Sequence, residues 1–216
     1  MSDSDHDRPP PVGIIDYGSG NLLSVRYALE RCGAEAALLT EPEHVYAMER
    51  IVLPGVGAYP AAMRRLVSAG LDTALAAHSW SGRPLLGICL GMQLLAEVGE
   101  EFGTTEGLGL IPGKVERMPA VDPQGRPTRI PFVGWAETRG AASSSAMMPP
   151  EAYYYYVHSY RFVPKDPDHV LASYRFYGDD VVAAVGQGAT VGVQFHPERS
   201  GPAGLTFLEA FVHGRI

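Results

Sequence analysis

The sequence has little cysteine, no long apolar run and no excess of basic residues. Only two of its 216 residues are cysteines, Cys32 and Cys89, too few for a disulfide framework or a four-cysteine zinc site. No apolar run approaches the roughly 20 residues that span a bilayer, and no charged-then-apolar signal opens the chain. Acidic residues outnumber basic ones by 24 to 17, whereas proteins that bind a phosphate backbone usually carry a basic surplus. We therefore expect a cytoplasmic protein with no membrane or nucleic-acid partner and no metal.

The composition is that of a folded protein, and the length suits one domain. The chain is 46% hydrophobic and 19% charged, which supplies enough apolar side chains for a core. Residues Met1–Pro11 are polar and end in three prolines, which favour neither a helix interior nor a central strand. We expect a disordered N-terminal tail over residues 1–11 and a single domain over residues 12–216.

Apolar runs and helical spacings alternate along the first half of the chain. The predicted strands are Val12–Asp16, Ala36–Leu39, Ile51–Leu53 (broken by the following Pro54-Gly55) and Pro84–Cys89. The predicted helical faces run through Leu22–Leu29, Met63–Leu75 and Leu90–Val98. This rhythm predicts an α/β fold whose central sheet is mainly parallel and has helices on both faces.

The second half has a different pattern, with strand-like runs joined by turns. The runs are Val115–Met118, Ile130–Trp135, Tyr153–His158, Val170–Arg175 and Val181–Val185. They predict an antiparallel portion, in which the four tyrosines Tyr153–Tyr156 alternate between the two faces. A buried strand, Val191–Phe195, and a helix, Ala203–Val212, are expected to follow, and the Ser/Ala/Pro-rich segment Arg139–Glu151 is expected to be a surface loop.

One cysteine lies where a predicted strand meets a predicted helix, in the segment Leu86-Gly87-Ile88-Cys89-Leu90-Gly91-Met92-Gln93. Glycines two residues before and after the cysteine allow a sharp turn. The helix that follows offers free N–H groups that favour a thiolate and an oxyanion. Open α/β sheets also bind ligands at the carboxyl ends of their strands. We therefore predict that Cys89 is a nucleophile; the alternative is a buried structural cysteine.

Two further segments could complete a site around Cys89. His196 and Glu198 follow an apolar run, and a cysteine nucleophile needs a base that is oriented by a carboxylate. The glycine-bracketed turn Gly55-Val56-Gly57 also follows a strand and could present N–H groups to an oxyanion. Read alone, that turn could equally be an ordinary strand-to-helix connection.

Together, these motifs resemble those of the class I, or triad-type, glutamine amidotransferases. The resemblance to this superfamily is carried by the elbow GICLGMQ, the turn PGVG and the terminal FHPE. The segments IIDYGSGNL, LPGVGAY, YVHSY and GVQFHPERS more narrowly resemble HisH, the family of glutaminase subunits of imidazole glycerol phosphate synthases. The resemblance extends from about Val12 to Phe211, which is nearly all of the domain we expect.

The resemblance implies a reaction and the residues that carry it. Cys89 would attack the side-chain amide of glutamine, His196 would shuttle the proton and Glu198 would orient the imidazole. Water would then hydrolyse the thioester to glutamate. The implied oxyanion contacts are Gly55, Val56, Gly57 and Leu90, and the implied glutamine contacts are Gln93, Ser159 and Tyr160. No cofactor is implied.

The resemblance also implies a partner. In this family, ammonia passes to HisF, a (β/α)₈ barrel cyclase bound as a heterodimer. The cyclase makes imidazole glycerol phosphate and an aminoimidazole carboxamide nucleotide, AICAR, in histidine biosynthesis. The residues whose motif positions correspond to the partner-facing surface are Asn21, Trp135, Tyr155 and Arg199.

One segment departs from the family pattern. Family members usually have Pro-His-x-Gly-Trp-Asn where this chain has Pro131-Phe132-Val133-Gly134-Trp135-Ala136. We expect this segment to lie near the partner-facing surface, so that the two apolar replacements affect the partner and not the glutaminase chemistry.

Three other functions are considered for this chain. The first is a paralogous subunit that supplies ammonia for the amidination of a surface sugar. The second is a non-catalytic subunit that binds a barrel, which the intact Cys89, His196 and Glu198 disfavour. The third is a cysteine peptidase or related hydrolase on the same fold, which the glutamine-pocket motif beside Cys89 and the YVHSY segment disfavour.

Overall fold

The computed structural model describes residues 10–141, 144 and 146–215. The predicted tail over residues 1–11 falls mostly outside the described residues. The described strands are β1 (Pro11–Ile15), β2 (Glu35–Leu39), β3 (Arg50–Gly55), β4 (Leu85–Cys89), β5 (Val98–Gly99), β6 (Thr105–Glu106), β7 (Gly113–Arg117), β8 (Phe132–Gly140), β9 (Glu151–His158), β10 (Tyr160–Pro164), β11 (Val170–Phe176), β12 (Asp179–Gln187) and β13 (Thr190–Val193). The described α-helices are α1 (Leu22–Arg31), α2 (Pro42–Ala47), α3 (Tyr59–Ser68), α4 (Leu71–Trp80), α5 (Leu90–Leu94) and α6 (Gly201–Val212). No described helix is long and apolar enough to cross a membrane.

The strands form one large sheet and one small sheet. The large sheet has the strand order β2-β1-β3-β4-β13-β12-β11-β8-β9. Its first five strands are mutually parallel, and the remaining four continue the sheet with antiparallel pairings. This arrangement confirms the predicted parallel sheet with an antiparallel portion. The small sheet, β10-β7-β5-β6, lies beside it.

The large sheet separates two apolar layers. Along β4, Leu85 belongs to one layer and Leu86 to the other, because successive side chains of a strand point to opposite faces. Helices α1 and α6 contribute to one layer, and helices α3 and α4 contribute to the other. Helices therefore cover both faces, as the sequence predicts. A strand buried on both faces must be almost wholly apolar, which accounts for the run Leu85–Cys89.

Strand β1 begins one residue before the predicted strand Val12–Asp16. Pro11 is the first residue of β1 and pairs with Glu35. The carbonyl oxygen of Pro10 accepts a hydrogen bond of 3.0 Å from the Glu35 N–H. Proline lacks an N–H but retains its carbonyl, so it is tolerated at the start of a strand.

Two predicted boundaries near the parallel strands are wrong. Strand β3 continues through Pro54 to Gly55, which pairs with Cys89. Its pairing with β1 ends at Val52, so Pro54 lies where β3 pairs with β4 alone and a missing N–H is tolerated. The helical face predicted over Met63–Leu75 belongs to two helices, α3 and α4, separated at Gly70, whose φ is 68°. Both helices bury their apolar residues in the same layer, so the spacing continues across the break.

Helix α5 is shorter than predicted, ending at Leu94. The next two N–H groups, those of Leu95 and Ala96, bond to carbonyl oxygens only three residues back. The N–H of Glu97 then donates to the Gly113 carbonyl oxygen at 3.1 Å, which leads the chain into β5. Contacts with a distant strand therefore override the helical spacing of Leu90–Val98.

Two features of the second half also differ from the prediction. Strand β10, which pairs with β7, has no counterpart among the predicted strands. The segment Arg139–Glu151 is not wholly superficial, because Ser144, Met147 and Met148 are buried against the core. The tyrosine alternation is confirmed: Tyr154 and Tyr156 are fully buried, and Tyr153 is exposed.

Candidate active site

Three neighbouring strands end at one edge of the large sheet. β3 ends at Gly55, β4 at Cys89 and β13 at Val193, and β4 pairs in parallel with both of the others. Since parallel strands place their carboxyl ends at the same edge, the residues that follow them come together. A pocket of about 350 Å³ opens at this edge, lined by Val56, Gly57, Cys89, Leu90, Gln93, Glu101, Pro131, Val157, His158, Ser159, Tyr160 and His196.

Cys89 lies on a sharp turn between β4 and α5. Its φ of 56° places a non-glycine residue in the left-handed region, a strained conformation that persists only when the surroundings impose it. The two flanking glycines permit this geometry. A Cβ on Gly91 would collide with the carbonyl oxygen of Leu53, and one on Gly87 would lie 2.7 Å from the carbonyl oxygen of Gly91. The turn therefore packs against β3 and holds the thiol at the pocket.

His196 and Glu198 form a buried pair beside Cys89. The Nδ1 atom of His196 lies 2.8 Å from Oε1 of Glu198, and both side chains are at most 6% exposed. Burial by itself lowers the pKa of His196, but the neighbouring Cys89 thiol and Glu198 carboxylate outweigh it and raise that pKa above its ordinary value. Because Nδ1 is engaged by the carboxylate, Nε2 is the nitrogen available to exchange a proton with the cysteine.

Ser200, which no sequence motif singles out, fixes the backbone segment that carries this pair. Its Oγ donates to the His196 carbonyl oxygen at 2.7 Å and accepts from the Tyr155 N–H at 3.0 Å. The His196 N–H donates in turn to the Tyr155 carbonyl oxygen at 2.9 Å. Two of these bonds attach the His196 segment to β9 and the third lies within that segment, so the imidazole is positioned by a neighbouring strand as well as by Glu198.

Gln93 and Gln194 form a second buried polar pair. Nε2 of Gln93 donates to the carbonyl oxygen of Tyr160 at 3.1 Å and to Oε1 of Gln194 at 2.9 Å. Nε2 of Gln194 lies 3.8 Å from Sγ of Cys89. Gln93 was predicted as a glutamine contact, whereas Gln194 was assigned no role. The only sequence signal for Gln194 is a polar residue within the apolar run Val191–Phe195.

His158 lines the pocket, but both of its ring nitrogens are engaged within the protein. Since the Tyr160 carbonyl oxygen, 2.8 Å from Nδ1, can only accept, Nδ1 carries the hydrogen. Nε2 then accepts from the Tyr174 hydroxyl at 2.8 Å. Burial lowers the pKa of His158 to about 4. The geometry therefore favours a structural role for this histidine and leaves His196 as the base candidate.

The turn after β3 is held by a contact that the sequence did not predict. Val56 and Gly57 line the pocket opposite Leu90, the first residue of α5. The Ser19 hydroxyl donates to the carbonyl oxygen of Val56 at 2.6 Å. The four predicted oxyanion residues lie at the end of β3, in the turn that follows it, or at the start of α5. The Ser19 contact fixes the orientation of one peptide in that turn.

The predicted glutamine contacts lie together in the pocket with one residue that the sequence did not indicate. Ser159 and Tyr160 line the pocket beside Gln93. Glu101 is the additional residue, and its Oε2 accepts a 2.7 Å hydrogen bond from the Tyr59 N–H at the start of α3. The pocket thus contains a carboxylate, amide groups and a hydroxyl, which suit the charged and polar ends of an amino acid.

Three of the four predicted partner-facing residues form one cluster. The guanidinium carbon of Arg199 lies 4.6 Å from the ring centre of Tyr155, and the Trp135 ring packs edge-on against Tyr155 at 5.9 Å. Trp135 is 54% exposed, a large fraction for a tryptophan. Asn21 is exposed and precedes α1, which packs against the short 3₁₀ turn that contains Arg199. The cluster combines an aromatic pair with a cation, which is typical of interface residues.

The two positions that depart from the family pattern point away from this cluster. On β8, Val133 and Trp135 are exposed, whereas Phe132 and Ala136 turn to the opposite face. Phe132 stacks on Tyr174 at 5.4 Å and packs edge-on against His158 at 6.2 Å. The replaced side chains pack inward because of strand alternation, and Val133 and Trp135 between them are exposed.

A larger groove of about 980 Å³ lies elsewhere, between α3, α4 and β6. The charged side chains that line it are Arg64, Arg65, Asp72 and Glu106, and its lining contains no cysteine or histidine. We therefore assign the chemistry to the smaller pocket, where the strained cysteine and the histidine–glutamate pair are found.

The fold and this pocket correspond to a known class of protein. Residues 13–214 match the family model described as "Glutamine amidotransferase class-I". The chain therefore belongs to the class-I glutamine amidotransferase family, and it is an amidotransferase enzyme. The fold is similar to that of a solved glutamine amidotransferase, with a TM-score of 0.72 and 21% identity over 94% of this chain and 98% of that one. It is also similar to PurLQS from Thermotoga maritima, with a TM-score of 0.75 and 19% identity over 95% and 98% of the two chains.

Within the family, the chain is similar to imidazole glycerol phosphate synthase subunit HisH. It is 46% identical to the HisH of Geobacillus kaustophilus, over 93% of this chain and 95% of that protein. It is 46% identical to the HisH of Desulfitobacterium hafniense, over 93% and 92%, and 42% identical to that of a Synechococcus strain, over 93% and 92%. The chain thus belongs to the HisH branch of the family, and the name of these relatives describes each as one subunit of a synthase.

Proposed function

We propose that this chain is the glutamine-hydrolysing subunit of an imidazole glycerol phosphate synthase. It releases ammonia from glutamine and delivers it to a cyclase subunit, HisF, in a heterodimer that serves histidine biosynthesis. The observation that carries the proposal is that Cys89 and His196 line one pocket and Glu198 bonds to the far nitrogen of His196, in a chain 46% identical to HisH over nearly its whole length. Those relatives are bacterial biosynthetic proteins, and both cysteines are free, so we place the enzyme in the cytoplasm.

The first half-reaction forms a thioester. Sγ of Cys89 attacks the side-chain carbonyl carbon of glutamine while Nε2 of His196 takes the thiol proton. His196 then gives a proton to the amide nitrogen, the C–N bond breaks and ammonia leaves. Glu198, at 2.8 Å from Nδ1, stabilises the imidazolium form between these two transfers.

The second half-reaction returns the enzyme to its starting state. His196 takes a proton from water, and the oxygen attacks the thioester carbon. The C–S bond breaks with its electron pair remaining on Sγ, His196 returns the proton to that sulfur, and glutamate is released. Both half-reactions pass through an oxyanion, which N–H groups of the turn Gly55-Val56-Gly57 and of Leu90 would stabilise.

The glutamine pocket recognises the two ends of the amino acid. Both hydrogens of Gln93 Nε2 are donated within the protein, so Oε1 of Gln93 remains to accept from the α-ammonium group of the substrate. The Glu101 carboxylate is a second acceptor for that group. The Ser159 and Tyr160 segment completes the pocket. A site that pairs its polar groups with those of the substrate discriminates strongly against analogues that lack them.

The partner binds where the exposed cluster lies. Ammonia released into water is protonated and loses its nucleophilic lone pair, so a synthase must cover the glutaminase site. Trp135, Tyr155 and Arg199 supply an aromatic and cationic surface near β9, and Asn21 extends it along α1. A (β/α)₈ barrel with a complementary acidic and apolar face suits this surface.

A second candidate function rests on Phe132 and Ala136. These residues stand where family members usually have polar ones, so this chain is also a candidate for a paralogous subunit that feeds an enzyme amidinating a surface sugar. Glutamine hydrolysis is the same in both cases, and only the acceptor differs. A non-catalytic role is disfavoured by the intact histidine–glutamate pair beside Cys89.

Glutamate release tests the assignment. The purified chain is assayed alone, with a HisF cyclase, and with that cyclase and its nucleotide substrate. We expect slow hydrolysis by the chain alone and strong stimulation by the complete mixture. Stimulation only by a sugar-amidinating synthase would assign the chain to the second candidate, and no hydrolysis under any condition would contradict the glutaminase itself.

A further inference from the structure

Gln194 is a buried polar residue that the mechanism above does not use. It follows β13 and precedes His196 by two residues, and its side chain is completely buried. Its backbone N–H already donates to the Ala183 carbonyl oxygen at 2.8 Å. The side-chain amide is therefore not needed to complete the sheet. A buried amide is costly unless both of its ends are paired, so its partners indicate its purpose.

The direction of the Gln194 amide is set by a chain of hydrogen bonds. The Tyr160 carbonyl oxygen can only accept, so the Gln93 atom that contacts it at 3.1 Å must be Nε2. The other hydrogen of that nitrogen goes to Gln194, at 2.9 Å, and the receiving atom must then be Oε1. This leaves Nε2 of Gln194 directed at Sγ of Cys89, at 3.8 Å.

The Tyr160 carbonyl oxygen accepts a second hydrogen bond, which makes this series of hydrogen bonds rigid. Nδ1 of His158 donates to Tyr160 at 2.8 Å, and the Tyr174 hydroxyl fixes the other side of the His158 ring. The ring, the backbone carbonyl and the two amides thus form a continuous buried series that ends at the nucleophile. A preorganised donor of this kind needs no rearrangement when charge appears on the sulfur.

We propose that Gln194 is a further catalytic residue, whose side-chain N–H stabilises the negative charge on Cys89 sulfur. The group acts twice in the cycle. It stabilises the negative charge that develops on sulfur as the thiol proton passes to His196, and it stabilises the sulfur again when the thioester C–S bond breaks and the electron pair remains on Sγ. Hydrogen bonds to charged acceptors are stronger than those to neutral ones, so the contact stabilises the ionised sulfur more than the thiol.

The proposal rests on the proposed role of Cys89, and the test separates the two. Alkylation of Cys89 by iodoacetamide reports the reactive thiolate without needing glutamine. The full chain and its Gln194→Met variant are alkylated across about pH 5 to 9, with Cys89 followed by peptide mapping. Methionine is similar in length and has no N–H to donate. Gln187→Met, at the exposed end of β12, is the matched control.

We expect Gln194→Met to move the pH midpoint of alkylation upward by about one unit and to lower kcat about tenfold, with KM changed less than about twofold. Gln187→Met should match the unsubstituted chain. A midpoint and kcat equal to those of the control would overturn the proposal. A higher KM with unchanged kcat and unchanged pH midpoint would also overturn it, because Gln194 would then contribute to substrate binding and not to stabilising the sulfur. If Cys89→Ala retains glutaminase activity, the proposed nucleophile fails, whatever the Gln194 variants do.

A measurement on the unsubstituted chain covers the case in which Gln194→Met does not fold. The side-chain N–H resonances of Gln194, assigned through bonds from its Cβ, are recorded before and after alkylation of Cys89. A donor to sulfur must shift when the thiolate is converted to a thioether. Unchanged resonances would overturn the proposal without reference to any variant.

Discussion

Cys89 shows at the scale of one residue how local strain and distant contacts combine. Its left-handed backbone is permitted by Gly87 and Gly91, which are visible in the sequence. The groups that surround its sulfur come from elsewhere in the chain, and only His196 and Glu198 had a recognisable pattern. Gln194 and Ser200 act through contacts with β4 and β9, and nothing in their own neighbourhood in the sequence reveals those contacts.

Removing the thiol should abolish catalysis while leaving the fold intact. Cys89→Ala eliminates the nucleophile, so we expect glutamine hydrolysis to fall by at least about a thousandfold. The melting temperature should change little, because the substitution removes one sulfur atom that borders the pocket and leaves the surrounding backbone unchanged. Glutamate release and thermal unfolding check the two expectations, with Cys32→Ala as the control. Activity close to that of the unsubstituted chain would exclude Cys89 as the nucleophile.

His158 should make the stability of the chain depend on pH. Burial lowers its pKa to about 4 from an ordinary 6.5, so the unfolded chain takes up a proton at a higher pH than the folded chain does. The stabilisation is therefore present above about pH 6.5 and is lost as the pH falls through about 4. Between pH 7 and 5 the loss should amount to about 2 kcal/mol.

Urea unfolding at the two pH values checks this expectation. His158→Gln is the matched variant, because glutamine can also donate to Tyr160 and accept from Tyr174. The carboxylates titrate alike in both proteins, so the difference between them isolates the histidine. Equal pH dependence in both proteins would show that His158 is not held neutral by burial.

The elements of the parallel half could be predicted well from the sequence, and their ends could not. β1 and β4 are apolar runs whose existence follows from burial on both faces, and β2 is an edge strand buried at Ala36 and Leu39. The end of α5 and the break between α3 and α4 depend on tertiary contacts that the helical spacing does not contain. Strand β10 was missed because its partner, β7, lies more than forty residues earlier in the chain. The pocket lies among these ends, so its finer contacts could not be predicted either.

We expect the glutaminase rate of the isolated chain to change when the turn after β3 loses its hydrogen bond from Ser19. The Ser19 hydroxyl holds the Val56 carbonyl oxygen at 2.6 Å, which fixes that peptide in one orientation. If a flip of the turn is needed to present an N–H to the oxyanion, Ser19→Ala should raise glutamine hydrolysis by the chain alone. A net hydrogen bond of about 1 kcal/mol corresponds to an increase of about fivefold.

Steady-state glutaminase assays of the isolated chain measure this effect. Ser68→Ala is the control, because the Ser68 hydroxyl donates to the Arg65 carbonyl oxygen within its own helix. The rate stimulated by the partner should change less than the rate of the chain alone. A lower rate for Ser19→Ala alone would instead show that Ser19 supports the active orientation of the turn.

At the scale of the whole molecule, the large sheet connects the chemistry to the proposed partner. β4 carries Cys89 in the parallel half, and β8 and β9 carry Trp135 and Tyr155 in the antiparallel half. The His196 segment bonds to Tyr155, so a partner that contacts this tyrosine is connected to the base through backbone hydrogen bonds. We propose that residues 12–216 act as one unit for this reason.

Restoring the family residues on β8 should change the stimulation of glutaminase activity by the partner more than it changes the reactivity of the Cys89 thiol. Phe132 and Ala136 face away from Trp135 but share its strand, so Phe132→His with Ala136→Asn changes how that strand packs. We expect the ratio of partner-stimulated to unstimulated glutaminase activity to change severalfold, while alkylation of Cys89 remains the same. Both are measured on the same preparation. Equal changes in the two would contradict the separation of partner coupling from glutaminase chemistry.

The central claim is that Cys89 carries the glutamyl group, and trapping that group tests it most directly. The full chain is mixed with glutamine in the presence of its partner, quenched in acid within one turnover, digested and examined by mass spectrometry. We predict a γ-glutamyl adduct on the peptide that contains Cys89, and none in the Cys89→Ala variant. An adduct on another residue, or glutamate formed with no adduct on Cys89 at any quench time, would contradict this account.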